Sequence, residues 1–174
     1  MDIMSAAQRS RLMSRISSRN TGPELALRRM LHAAGYRYRV HGLLPARQVV
    51  QLRADHPGIA LRGGKLPGSP DLVFSARRKV IFVNGCFWHG HDCPVGQRRP
   101  ASNTGYWNPK LDANIARDQR NLDHLAALGW ESLTLWECEL KSMDNVLRRT
   151  ASFLGPARIL PRGATPQPPG HGVG

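Results

Sequence analysis

The densest group of chemically reactive side chains lies between Asn84 and Cys93, where two thiols and two imidazoles fall within ten residues. Three cysteines are an odd number, which fits reduced metal ligands better than a disulfide framework. The spacing predicts a structural zinc site of the Cys₃His type, closed to substrate because all four ligands come from the protein. The alternative is that the cysteines are small buried hydrophobic residues. The predicted zinc ligands are Cys86, His91, Cys93 and Cys138.

His89 stands between these ligands without belonging to the predicted tetrahedron. Histidine changes its protonation near neutral pH, so a fixed imidazole here could act as a general base. The spacing also allows His89 and His91 to exchange roles, and His89 could be a solvated loop residue.

Asp71 follows Pro67-Gly-Ser-Pro70 at the start of an apolar run, so its carboxylate is expected at the edge of a strand. A hard oxygen ligand at that edge could hold Mg²⁺. An isolated aspartate at a strand start is also a common turn former. Glu24 has a similar double interpretation, because Thr21-Gly-Pro-Glu24 has the form of a helix capping box.

Three aromatic residues, Phe87, Trp88 and Trp107, lie on or near the polar metal-binding segment. Such rings could leave the protein and slide between DNA base pairs, which costs least at a mismatch. They could instead pack together over the zinc loop as a small core. For Trp136, inside a predicted strand, the core is the expected place.

The elements that must position these residues follow from the hydrophobic periodicity. The region from His41 to Gly68 is rich in Pro and Gly and is expected to be a long surface excursion, with a short strand at Val49 to Leu52. The element order gives an α/β sandwich with a mixed central sheet. The predicted helices are 22–34, 112–128 and 139–154; the predicted strands are 36–40, 71–74, 80–83 and 130–136, of which 71–74 and 80–83 form a hairpin.

The chain is expected to have a basic arm over residues 1–20, a single domain over 21–155 and a disordered Pro- and Gly-rich tail over 156–174. The arm is predicted to form an amphipathic helix that could lie on DNA. No run is apolar enough for a membrane span, so a soluble, intracellular protein is expected. The basic stripe of the arm consists of Arg11, Arg15 and Arg19.

The charge balance points to a polyanionic partner. Lys and Arg number 25 against 12 Asp and Glu, which gives a formal net charge of +13. Such an excess is typical of nucleic-acid-binding proteins. Codon usage in a GC-rich genome would also enrich arginine.

The combined motifs resemble the very-short-patch repair (Vsr) mismatch endonucleases over about residues 13–136 and beyond. The resemblance implies a restriction-endonuclease-like three-layer fold in which histidine replaces the catalytic lysine of that superfamily. The motifs that carry it are Pro67-Gly-Ser-Pro-Asp71, Val80-Ile-Phe-Val-Asn-Gly-Cys-Phe-Trp-His-Gly-His-Asp-Cys93, Tyr106-Trp107, Asn114-Ile-Ala-Arg-Asp118 and Leu128-Gly-Trp through Leu135-Trp-Glu-Cys138.

The resemblance implies a role for each matching residue. Asp71 and the backbone carbonyl of Val83 would hold catalytic Mg²⁺, and His89 would act on the attacking water. The zinc ligands match those already named. The wedge that enters DNA would be Phe87, Trp88 and Trp107, joined by Met13 from the arm, with Glu24 and Asp118 in supporting roles.

The implied substrate is double-stranded DNA with a T·G mismatch left by deamination of 5-methylcytosine. The implied reaction is a nick 5′ to the thymine by a monomer in the bacterial cytoplasm, and mismatch-repair proteins are the candidate protein partners. The alternatives are a restriction-type nickase without mismatch preference and a non-catalytic zinc module that binds distorted DNA.

Two departures from the family pattern stand out. Val83-Asn84 replaces the family's Thr-His pair, so an amide that can donate a hydrogen bond but cannot deliver a proton stands in place of an imidazole. The excursion between Val40 and Pro67 is also longer than in shorter relatives, which could change the sequence context that is read.

Overall fold

A computed structural model describes residues 20–157 of the 174-residue chain. The predicted arm helix, with Met13 and its three arginines, and the predicted tail lie outside these residues. Within residues 20–157 no helix is long and apolar enough to cross a membrane. The helices are α1 (Gly22–Ala33), α2 (Ala46–Asp55), α3 (Cys86–His89), α4 (Thr104–Ala127) and α5 (Met143–Leu154); the strands are β1 (Arg39–Val40), β2 (Leu72–Phe74), β3 (Lys79–Asn84) and β4 (Glu131–Trp136).

The four strands form one mixed sheet in the order β1-β2-β3-β4. β2 is antiparallel to both β1 and β3, whereas β3 and β4 run parallel, with Val83 opposite Leu135. The parallel pair follows from the long crossover through α4, and the β2–β3 hairpin from the short turn between them. The predicted mixed sheet and hairpin are therefore confirmed.

Helices cover both faces of the sheet, because alternate strand residues point to opposite sides. Leu72 and Ile81 pack with residues of α1 and α5 on one face. Their neighbours Val73 and Val80 pack with the end of α4 and with the excursion on the other. The result is a three-layer arrangement with a core on each side of the sheet.

The excursion after β1 differs from its prediction. Its centre is the helix α2 rather than a strand at 49–52, and Val49 and Leu52 are buried at a spacing of three residues. Leu61 and Leu66 join them in the core that includes Leu125. The adjacent β-branched residues Val49 and Val50 suggested a strand, but burial of one helical face overrides that local preference.

The beginning of α1 also corrects an expectation. Thr21 makes no capping bond through its side chain, so no capping box forms. Glu24 is only 1% exposed and forms an ion pair with Arg28 one helical turn later. Glu24 shares the buried face of Leu27 and Leu31, which turns its carboxylate toward the interior.

Two further elements have boundaries that differ from the prediction. Helix α4 begins at Thr104, earlier than predicted, and its extra turns contain Pro109 and the buried residues Trp107 and Leu111. The predicted strand over 36–40 is reduced to β1, although Tyr36 before it is buried as expected for a core-facing residue. Burial of the α4 face stabilises the helix although Pro109 removes one backbone hydrogen bond within it.

Candidate active site and metal cluster

A cavity of about 610 Å³ opens between the sheet and α4. Residues from six separate stretches of the chain line it, and most of the predicted catalytic residues are among them. Those with side chains suited to chemistry are His41, Asp71, Asn84, His89, Arg117 and Asp118.

Asp71 lies immediately before β2 and faces β3. The backbone N–H of Val83 donates a hydrogen bond to its Oδ2 at 2.7 Å. Burial raises the pKa of Asp71 to about 6, helped by the nearby charge of Glu24 and opposed by this hydrogen bond and by Arg28. Burial disfavours the ionised form of this carboxylate. A hard divalent cation bound to it would compensate for the buried negative charge.

Val83 is thus brought to Asp71 as predicted, but the contact seen is through its N–H. The carbonyl of Val83 as a magnesium ligand remains a prediction. Asn84, the next residue, ends β3 and lines the cavity, where its amide could donate a hydrogen bond.

Glu24 approaches the site from α1, behind Asp71. Its ion pair with Arg28 neutralises a carboxylate that would otherwise be buried without a partner. Nη2 of Arg28 also lies 3.5 Å from Nε2 of His41. The Glu24–Arg28 pair of α1 therefore contacts a residue that lines the cavity. The supporting role of Glu24 remains a prediction.

His89 ends the short helix α3 and forms a close hydrogen bond with Asp118 of α4 through Nδ1. Burial alone would raise the pKa of Asp118. The hydrogen bond and charge of His89, together with Arg117, outweigh burial and keep this pKa below its usual value. The carboxylate therefore stays ionised and accepts a hydrogen bond from Nδ1–H, which leaves Nε2 of the imidazole as the basic nitrogen.

The four predicted zinc ligands converge. The ligand atoms of Cys86, His91, Cys93 and Cys138 all lie within 4.8 Å of one another. Nδ1 of His91 is 3.4 Å from Sγ of Cys138, close to the roughly 3.5 Å expected between nitrogen and sulfur on one tetrahedral zinc. His91, and not His89, belongs to this cluster, so the geometry favours the roles first predicted for the two histidines.

The surroundings of the cluster fit a bound metal. Nε2 of His91 lies 3.0 Å from Asp92 and its ring stacks on Trp136, with centroids 4.4 Å apart. A hydrogen bond from the Gly96 N–H lowers the pKa of Cys93 to about 6, whereas burial raises the pKa of Cys86 to about 12. A metal ion would compensate for the cost of ionising the buried thiol.

The predicted wedge residues pack against one another. Ring centroids of Phe87 and Trp88 are 5.0 Å apart, and Trp107 lies 6.3 and 6.2 Å from them. Trp107 is 8% exposed, while Phe87 and Trp88 are half-buried. This aromatic cluster joins α3 to α4, as the small-core alternative expects, and the wedge role remains a prediction.

Three residues of the cavity region escaped the sequence reasoning: His41, Arg28 and Arg117. Arg28 had a signal, because it stands four residues after Glu24 on a predicted helix. Arg117 also had one, because it lies inside the Asn114 to Asp118 motif and hydrogen bonds to both ends of it. His41 had none, since it follows the predicted strand at the start of an irregular stretch.

A mixed α/β sheet that carries an acidic residue, a histidine–aspartate pair and a cysteine–histidine cluster fits the class of nucleases. Comparison with known proteins gives the particular family: the model described as DNA mismatch endonuclease Vsr matches residues 1–47 and 58–95. The interval between the two matched segments lies in and just after α2. The chain belongs to the Vsr family of endonucleases.

Individual relatives cover most of the chain. The type II nicking enzyme V.XorIIP of Xanthomonas oryzae pv. oryzae is 44% identical over 90% of this chain and 98% of its own length. The DNA mismatch endonuclease Vsr of Escherichia coli K12 is 34% identical over 83% of this chain and 79% of its own. The type II nicking enzyme V.NmeAIP of Neisseria meningitidis is 35% identical over 81% of this chain and 85% of its own.

Proposed function

We propose that this protein is a Mg²⁺-dependent endonuclease that nicks one strand of double-stranded DNA, 5′ to the thymine of a T·G mismatch. The observation that carries the proposal is that Asp71 and the His89–Asp118 pair line the same cavity. A cation-binding carboxylate and an oriented base are the two groups that metal-assisted phosphodiester hydrolysis requires.

Asp71 is the cation-binding group. Its half-buried carboxylate, when ionised, places a negative charge in this part of the cavity although the chain as a whole is basic. Mg²⁺, when bound, would polarise the scissile phosphate and stabilise the charge that develops on it.

His89 is the general base. With Nδ1–H directed at the Asp118 carboxylate, Nε2 accepts a proton from the attacking water. The water oxygen bonds to phosphorus, the bond from phosphorus to the leaving oxygen breaks, and that oxygen takes up a proton. Asp118 holds the imidazole orientation and stabilises its protonated form.

The cysteine–histidine cluster is proposed to bind structural zinc. Cys86 begins α3 and His89 ends it, so fixing the first residue also fixes the base one turn later. Cys138, just after β4, ties this helix to the sheet. Zinc therefore acts through position and leaves hydrolysis to the neighbouring cavity.

Mismatch preference is proposed to come from the aromatic cluster. Its rings lie on α3 and the first turns of α4, the same two helices that supply His89 and Asp118. Opening a base step costs a few kcal/mol and least at a mismatch, so insertion of these rings would favour T·G. Opening and cleavage would then be coupled through α3.

A second candidate function is nicking without mismatch preference. Two relatives, at 44% and 35% identity, carry the name type II nicking enzyme. That name specifies cleavage of one strand and does not say which DNA substrate is cut. The preference for a T·G mismatch therefore needs a direct test.

The test uses end-labelled duplexes that differ only at one base pair, T·G, T·A or C·G, in several sequence contexts. Mismatch nicking predicts that only the T strand of the T·G duplex is cut, with Mg²⁺ present and not with EDTA. Equal nicking of the T·A or C·G duplex would favour the second candidate. Nicking that persists in EDTA would contradict the metal dependence.

A further inference from the structure

His41 lies beside Asp71 at the end of β1. The register of β1 and β2 pairs Val40 with Leu72, and one step further the His41 N–H donates to the Asp71 carbonyl at 3.2 Å. Both residues line the cavity, so the imidazole and the carboxylate are neighbours in the site.

The backbone of His41 is held in an unfavourable conformation. Its φ of 56° lies in the left-handed region, which is uncommon for residues other than glycine. The next N–H, from Gly42, donates to the Pro70 carbonyl at 2.7 Å, and this turn is packed so tightly that a Cβ on Gly42 would come within 2.7 Å of Ser69. Strain of this kind commonly persists at functional sites, where the surrounding structure enforces it.

Arg28 determines which nitrogen of His41 carries the proton. Its Nη2 lies 3.5 Å from Nε2 of His41, and a guanidinium offers only N–H donors. Nε2 therefore faces Arg28 as the acceptor, which places the imidazole proton on Nδ1. The ion pair of Arg28 with Glu24 holds the guanidinium in this position.

We propose that His41 is a second imidazole of the cleavage site, whose Nδ1–H donates a hydrogen bond to a non-bridging oxygen of the scissile phosphate. The inference rests on the proposed function and adds to it a phosphate-binding group supplied by β1, separate from the His89 base on α3. Because the phosphate must approach Asp71 to be cleaved, the residue opposite Asp71 is placed to contact it.

The test measures single-turnover nicking of a T·G duplex by His41→Gly and His41→Asn. Glycine removes the ring and relieves the left-handed strain, so folding should be retained while the nicking rate falls about 10²-fold, as for loss of one donor to a reacting oxyanion. Asparagine tolerates the same backbone and keeps an N–H donor, so it should recover part of the rate. Arg78→Gly, at φ 52° in the β2–β3 turn, is the matched backbone control and should nick normally.

A phosphorothioate at the scissile position separates substrate contact from a structural role. One of the two sulfur diastereomers should slow the unaltered protein more than His41→Gly, because the contact that sulfur weakens is already absent. If sulfur slows the unaltered protein and His41→Gly equally, or if His41→Gly nicks at the rate of the unaltered protein, the assignment of His41 is overturned. The proposed function would not be affected by either result. Failure of the unaltered protein to nick any T·G duplex would overturn the proposed function and this inference with it.

Discussion

Two carboxylates of the cavity have opposite electrostatic environments. Burial raises the pKa of Asp71 to about 6, whereas His89 and Arg117 keep the pKa of Asp118 below its usual value. Groups whose environments separate their pKa values commonly have different chemical roles. In the proposed function, Asp71 binds a cation and Asp118, already ionised, orients the base.

The raised pKa of Asp71 predicts how nicking depends on pH. Cation binding requires the ionised carboxylate, so the nicking rate should fall as pH decreases through about 6. Because Mg²⁺ competes with the proton, a higher Mg²⁺ concentration should move the midpoint to lower pH. Rate–pH profiles at two Mg²⁺ concentrations check this, and an unmoved midpoint would assign the titration to another group.

The raised pKa of Asp71 also makes the stability of the fold depend on pH. Without metal, the folded pKa near 6 exceeds the usual value of 3.8, so the folded state binds the proton more tightly. The free energy of unfolding should therefore decrease as pH rises from about 4 to about 6 and then level off. Asp71→Asn should reduce this decrease in urea unfolding series, and an unchanged pH dependence would contradict the burial of the charge.

Asp118→Asn should lower the nicking rate strongly while leaving the fold intact. The amide can no longer stabilise the protonated imidazole, and an analogous change in a serine protease costs about 10⁴-fold. Single-turnover rates on a T·G duplex measure the effect. Asp123→Asn is the matched control, because Asp123 lies on the same helix, exposed and bonded to Gln119; equal rates for the two variants would remove Asp118 from the site.

Sequence reasoning identified most residues of the site but not their pairing. The density of thiols and imidazoles after β3 was enough to predict the four cluster residues, because few other functions require that composition. The imidazole–carboxylate pair spans 29 positions and depends on how α3 docks against α4, which no local pattern encodes. His41 was missed for the same reason, since its value lies in being opposite Asp71.

Helix α4 connects three parts of the molecule. Its first turns carry Trp107 of the aromatic cluster, its middle carries Asp118, and its last turn buries Leu125 in the core. A rigid helix of 24 residues can hold these groups in a fixed relation. Local changes near α3 should therefore affect cleavage without unfolding the sheet.

Gly96→Ala should disrupt the metal cluster. A Cβ at Gly96 would lie 2.1 Å from the His91 carbonyl oxygen, so the loop that presents His91 and Cys93 must move. We expect less bound zinc and a lower melting temperature, measured on the purified variant by metal analysis and calorimetry. Gly105→Ala, where nothing lies within 4 Å, is the matched control, and full zinc content in Gly96→Ala would contradict the described loop.

The buried face of α2 gives a test of the corrected excursion. Leu52 is 6% exposed and Val50 is 69% exposed on the same helix. Leu52→Ala should lower the free energy of unfolding by about 2–5 kcal/mol, whereas Val50→Ala should change it little. Denaturant unfolding measures both, and equal small effects would indicate that the excursion lies loosely on the surface as first expected.

Prediction at the element scale succeeded where periodicity alone decides the structure. The β2–β3 hairpin, β4 and α1 have clear apolar or helical patterns and lie close to their predicted boundaries, whereas α5 begins at Met143, four residues after its predicted start at 139. Helix α2 and the first turns of α4 were missed because Pro109, nearby glycines and adjacent valines favour other structures locally. Their helical form depends on burial against the sheet, which sequence patterns do not report.

At the scale of the whole molecule, the net charge of the chain is opposite in sign to the charge of Asp71 in the cavity. The chain carries a net charge of +13, which favours approach to DNA, while ionised Asp71 in the cavity would repel a phosphate without a cation. In the proposed function, the basic residues supply affinity, and Asp71 with its cation would supply the cleavage step. Binding and cleavage should be separable by mutation.

The most direct test measures both quantities for Asp71→Asn and the unaltered protein on one T·G duplex with Mg²⁺. Asparagine is nearly isosteric but removes the charge, so T-strand nicking should be abolished while affinity for the duplex stays within a few-fold. Nicking by Asp71→Asn at a rate near that of the unaltered protein would contradict the central claim that this carboxylate is the cation-binding group of the cleavage site.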